Sequence, residues 1–145
     1  MKTILRMLAV VSAVVCMVLF AASCSSQSSP KDVASQAMEC MKKGDVDKFV
    51  DLLYVEEGTD AEEVKRGKAM IKAMYEGKGM AQLEKKQGIK SYEVIDEKMN
   101  EEGNRCKVTL KVVYGDGSEK DNETINTIKD KDGKWWLNLY TGLKF

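Results

Sequence analysis

Histidine is absent from this 145-residue chain, and with it the usual base for a serine or cysteine nucleophile and the commonest metal ligand. There is one proline, and no low-complexity tract or internal repeat. The chain also lacks a Gly-rich phosphate loop, a dinucleotide fingerprint and a Cys-x-x-Cys redox pair. Charge of one sign is missing too, since 23 Lys and Arg face 23 Asp and Glu. With Lys and Glu interspersed at near neutrality, no electrostatic footprint for nucleic acid exists. The apolar stretch Met7 to Phe20 falls short of the roughly 20 residues a membrane-spanning helix needs.

That stretch has another meaning. Lys2 and Arg6 precede it, the small residues Ala21, Ala22 and Ser23 follow, and then come Cys24 and a polar run from Ser25 to Ser29. Positive start, apolar middle and small-residue cleavage site form the layout of a secretory signal. With Cys24 directly after the small residues, the segment resembles a bacterial lipoprotein signal. That resemblance implies cleavage before Cys24, lipidation of its thiol and a protein lying on a membrane rather than across it. Ala21 stands where such signals usually carry Leu, Val or Ile, and a plain secreted protein cut after Ser23 is the alternative. Cys16 lies inside the apolar stretch without small residues before it. The expected organisation is a signal peptide over 1–23, a lipidated cysteine and flexible tether over 24–30, and a single domain over 31–145. As a flexible coil the tether would reach only about 13 Å. No acidic cluster follows Cys24, so the expected orientation is toward the periplasm.

Removing the signal leaves about 120 residues, one ordinary domain that can bury a core unaided. Lys2 and Arg6 leave with it, so 21 basic residues face 23 acidic ones, a net charge of −2. Two cysteines remain, Cys40 and Cys106. In an oxidising compartment they have two readings, a disulfide closing a long loop or two buried thiols.

Apolar spacing predicts a helix from Pro30 to Lys43 with Val33, Ala37, Cys40 and Met41 on one face. Gly44 ends it, and Asp45 caps a second helix bearing Val46, Phe49, Val50 and Leu53 inward. Thr59 and Asp60 each precede a Glu by three residues and so signal a third helix, with a stripe of Val64, Gly67, Ile71, Met74 and Tyr75. Gly77 and Gly79 break or kink it. After Gly88 the period becomes alternating. Strands are expected over 91–99, then around Cys106, Val108, Leu110, Val112 and Tyr114, then over 123–129 and 134–140. In the last, Trp135, Leu137 and Leu139 share a face. The fold class is α+β, with N-terminal helices packed on a curved four-stranded antiparallel sheet.

Pro30-x-x-Val33-Ala34, Gly44-Asp45 and Asp132-Gly133-Lys134-Trp135 resemble small bacterial lipoproteins carrying domain of unknown function 4878, within the nuclear-transport-factor-2-like (cystatin-like) cone folds. The similarity runs from about Pro30 to the C-terminus. It implies a sheet wrapped around a long helix, with a pocket at the open end. The family label carries no agreed activity.

The search for chemistry is brief. Glu56-Glu57, Glu62-Glu63 and Glu101-Glu102 fall in loops or a first helical turn, where they solvate or complement a helix terminus. Cone folds host isomerases and lyases whose base is a carboxylate in an apolar pocket. Asp51 points away from the inner stripe, whereas Asp96 shares strand parity with Tyr92 and Val94. Met38, Met41, Met70, Met74, Met80 and Met99 with Cys40 are soft ligands by type, but Met41 and Met74 fall on core stripes. Trp136 and Tyr140 point to the sheet's other face, either over the stems of Lys107 and Lys111 or as a partner patch. Tyr54, Tyr75 and Tyr114 either edge a pocket or anchor the core. The expectation is a lipid-anchored, non-enzymatic envelope module without cofactor, binding a small apolar ligand or an envelope protein. The alternatives are a carboxylate-dependent isomerase or lyase and a self-associating structural protein.

Overall fold

A computed structural model describes residues 27–139. The signal segment, Cys16, Cys24 and Tyr140 lie outside the described residues. Helix α1 spans Pro30–Lys43 and starts with proline at its first turn, where a missing N–H costs nothing. Ser29 caps it by accepting the Asp32 N–H at 3.1 Å. Gly44 closes it in the left-handed region at φ 71°, and the Asp45 N–H then reaches the Cys40 carbonyl at 2.9 Å. Helix α2 (Val46–Asp51) follows at once, capped by Asp45. Asp60 caps α3 (Ala61–Met74) by accepting the Glu62 and Glu63 N–H groups.

A π-helical turn, Tyr75–Gly79, separates α3 from the short α4, Met80–Lys85. The two glycines therefore widen the helix instead of ending it. No residue of α3 is fully buried, and Met74, expected on the inner stripe, is 57% exposed. Among the described residues no helix is long and apolar enough to cross a membrane.

Four antiparallel strands follow in simple order: β1 (Ile89–Met99), β2 (Arg105–Tyr114), β3 (Glu119–Lys129) and β4 (Trp135–Leu137). Strand β2 alternates strictly, burying Cys106, Val108, Leu110, Val112 and Tyr114. Helix α1 lies across this inner face, touches all four strands, and contributes Val33, Ala34, Ala37 and Met38 to one continuous core. Each large aliphatic side chain buried there contributes about 1.5–3 kcal/mol.

The pairing slips between Ile89 and Ser91, between Val94 and Asp96, and between Leu110 and Val112. Such irregularities bend and twist a sheet. They also correct the parity expected for Asp96. Val94 lies opposite Leu110, but Ile95 is extra, so Asp96 lies opposite Thr109 on the outer face and is exposed.

Strand β4 is shorter than expected. Trp135 and Leu137 are buried, but Leu139 falls beyond the strand and is 40% exposed. The edge of β4 away from β3 is covered by two separate segments. Leu137 donates its N–H to Leu52 and accepts from Tyr54, both at 2.8 Å, and Trp135 donates to the Gln27 carbonyl at 2.9 Å. The side-chain Nε2 of Gln27 returns a bond to the Trp135 carbonyl at 2.9 Å. Unpaired strand edges invite foreign strands, and these segments remove that edge. They also correct the tether: Gln27 and Ser29 are both tied into the fold, so it is no free spacer through Pro30.

Candidate functional site

A groove of about 370 Å³ opens between α1 and α2 beside Gln27. Helix α1 brings Gln36, Glu39, Cys40 and Lys43 to it on successive turns of one face. Asp45, Lys48 and Asp51 enter from α2 and its cap, with Leu52 beyond. Its charges come in pairs. Lys43 lies 3.2 Å from Glu39, an i,i+4 neighbour, and Lys48 lies 3.2 Å from Asp45. The Lys43 ammonium, together with a 3.1 Å bond from the Tyr92 hydroxyl, holds the Glu39 carboxyl below its ordinary range. Bonds from the Lys48 backbone and side chain do the same for Asp45. Among the described residues the Gln36 Nε2 is buried without a hydrogen-bond partner.

Tyr92 was not singled out by its sequence. Its single O–H is shared between the Ser35 carbonyl at 3.2 Å and the Glu39 carboxylate at 3.1 Å. Burial first, then the Glu39 carboxylate, push its phenol up to about 12. Nothing in the local pattern signals this, because the contact needs α1 and β1, 57 residues apart at Ser35, to lie side by side.

The three tyrosines expected at a pocket are not brought together. Tyr75 packs against Phe49 with ring centroids 4.4 Å apart and planes tilted by 44°, and donates to the Met41 sulfur at 3.4 Å. Tyr114 lies under the Lys86 ammonium at 4.0 Å. Burial, aided by Glu123, raises both phenols. Tyr54 instead sits beside β4. None of the three lines the groove. Tyr114 belongs to the core and Tyr75 packs against it, whereas Tyr54 bonds the β4 edge through its backbone.

Trp136 does point outward, but not over Lys107 or Lys111. Strand β3 stands between β2 and β4, and the register sets Trp136 in a row with Ile128 and Arg105. The indole donates to Asp130 at 2.7 Å, and the Lys134 ammonium lies 4.3 Å above the ring. Lys111 is engaged by Glu119 at 2.9 Å.

Among the described residues Cys40 and Cys106 both carry free thiols and are not bonded to each other. Cys106 is fully buried on β2 and Cys40 half-buried on α1. Desolvation, the leading cause in both, pushes the Cys106 thiol up to about 11 and raises Cys40. Neither environment favours the thiolate that nucleophilic attack requires. No cluster of three or more Cys, Asp or Glu suited to a metal ion occurs among the described residues.

None of the curated proteins matches the chain. A crystal structure from Campylobacter jejuni, named a "putative NTF2-like transpeptidase", is similar in fold, with a TM-score of 0.63 and 19% identity. The match covers 76% of this chain and 97% of that one. The model of DUF4878, a domain of unknown function, matches residues 22–138, and the chain belongs to that family, built on an NTF2-like fold.

Proposed function

We propose that the protein is a lipid-anchored module of a bacterial cell envelope that binds a partner without catalysing a reaction. The observation that carries the reading is the position of Gln27. It is locked to β4 by two hydrogen bonds only three residues after Cys24, so an acyl chain on that cysteine would hold the folded domain directly at the bilayer. The layout of residues 1–24 supports the same address.

The non-catalytic part draws on the absence of histidine from the chain, the raised thiols and the exposed, outward position of Asp96. The similar Campylobacter jejuni structure bears the name of a transpeptidase, but a thiol-based acyl transfer needs an activated thiolate, and burial works against it here. For the bound partner, geometry favours an envelope protein over a small apolar ligand. Met38, Val108, Leu110 and Val112 fill the space between α1 and the sheet at 1% exposure or less. The groove, in contrast, offers both signs of charge from Glu39, Lys43, Asp45 and Lys48, which suits a peptide segment.

Cell fractionation tests the anchor. Cys24→Ala is expected to leave the membrane pellet or to accumulate uncut, and a variant that matures and pellets like the parent would refute the assignment. A photo-crosslinking residue at Lys43 is expected to yield a discrete adduct that the same residue at Lys107 does not.

A further inference from the structure

We propose that the edge of the domain carrying Lys129, Lys134 and Trp136 is the face that rests on phospholipid headgroups. The inference rests on the anchor at Cys24 and adds to it an orientation. Gln27 is bonded to Trp135 through both its backbone and its side chain. Three residues of chain, fully extended, span at most about 11 Å. An acylated Cys24 therefore keeps Gln27 within that reach of the anchored residue, and the Trp135 backbone one hydrogen bond beyond it, whatever path the intervening chain takes.

The chemistry of this edge suits the position. Trp136 follows Trp135 and turns its half-buried indole to the outer face. The exposed Lys134 ammonium lies 4.3 Å above that ring, and Lys129 lies 5.5 Å from the ring of Trp135. Neither lysine forms an ion pair among the described residues. Nearby Lys131 is paired with Glu57. Of the two acids in the β3–β4 turn, Asp130 is spent inside it, accepting from the Trp136 indole and from the Asp132 and Lys134 backbones, and Asp132 is exposed. Presented at this edge are the Trp136 indole with the Lys134 ammonium above it, the Lys129 ammonium on the opposite face of the sheet beside Trp135, and the Asp132 carboxylate. Ammonium groups bind lipid phosphates, and tryptophan settles at the membrane–water boundary.

Other surfaces are less suited. Lys111 on the outer face is neutralised by Glu119, and the exposed Met70 and Met74 belong to α3, which packs on α2 and the π-helical turn.

The chain's only two tryptophans are at this edge, so tryptophan emission, excited at about 295 nm to exclude tyrosine, reports on it alone. The acylated protein, purified from membranes, is reconstituted into vesicles of phosphatidylethanolamine and phosphatidylglycerol with a headgroup nitroxide lipid. Roughly a twofold loss of emission against plain vesicles is expected for an indole lying in the headgroup layer. Charge reversal of the two exposed lysines, Lys129→Glu with Lys134→Glu, is expected to restore most of that emission. Mass spectrometry of the N-terminal peptide is run on each preparation. An acylated protein without quenching, or with quenching untouched by the double reversal, overturns the headgroup face and leaves the anchor standing. An unacylated N-terminus overturns both.

Discussion

Gly115 offers the sharpest test of how the turn leaving β2 packs against the chain that enters β1. It follows β2, where the chain leaving α4 passes against it. A β-carbon there would stand 2.1 Å from the Gln87 carbonyl oxygen and 2.9 Å from its carbonyl carbon. The obstacle is backbone, and Gln87 is itself held at φ 61°. Two hydrogen bonds cross the contact, from the Gly115 N–H to Gly88 at 2.9 Å and from the Asp116 N–H to Lys86 at 3.0 Å. Gly115→Ala must therefore part the two turns. Overpacking of this kind costs about 1–3 kcal/mol, and the two bonds contribute about 1 kcal/mol each. A loss of about 3–5 kcal/mol follows, or roughly 12–20 °C in Tm at about 4 °C per kcal/mol. Gly117 supplies the control. It has φ 85° but nothing within 4 Å of an added β-carbon, so Gly117→Ala should cost only the left-handed penalty, about 1–2 kcal/mol. Urea unfolding followed by tryptophan emission measures both. If Gly115→Ala is no worse than Gly117→Ala, the reasoning from close approach is wrong.

Other tests address titration, thiols and the core. Tyr92 has its folded pKa raised to about 12, so the stability it contributes is complete below its ordinary value near 10 and is lost as pH rises toward 12. Tyr92→Phe should flatten that alkaline decline in denaturation midpoints, and an unchanged slope would count against it. Asp130 has the opposite sign: bonds from the Trp136 indole and the turn backbone lower its pKa, so its contribution is present above about pH 4 and fades as pH falls through the lower folded value. Asp130→Asn should weaken the acid limb of the same profile and leave the alkaline limb alone. With Cys40 half-buried and Cys106 fully so, a thiol reagent should modify Cys40 first and Cys106 only on unfolding, and an intact-mass loss of a disulfide's two hydrogens would contradict the free thiols. Leu110→Ala, at a fully buried position, should lose about 2–5 kcal/mol in the same unfolding assay.

Much of the scaffold is legible in the residues because its signals are local. Ser29, Gly44 and Asp45 cap their helices through bonds spanning a few residues. Strand β2 is buried on one face and half-exposed on the other, so its alternation survives intact. Asp96 shows where locality fails. One extra residue, Ile95, reverses the parity of everything after it, and nothing in the composition of β1 marks the slip. Leu139 fails for a related reason, since alternation predicts burial only as far as the ladder extends. Trp136 faces outward as its parity requires, yet its partners come from its own turn, because β3 separates it from the lysines of β2. Gln27, in a polar run that reads as a spacer, and Tyr92, whose partners lie on α1, are decided by segments far away in the chain.

The clasp between Gln27 and Trp135 joins positions 108 residues apart. A chain emerging from its N-terminus cannot make this bond until nearly all of the domain has followed, so the closing strand is among the last pieces to arrive. Loop closure across such a separation is slow relative to helix formation. Until that moment a nascent molecule holds its helices and first hairpin but leaves the border of β3 bare, and that interval is when it most needs shielding from its neighbours.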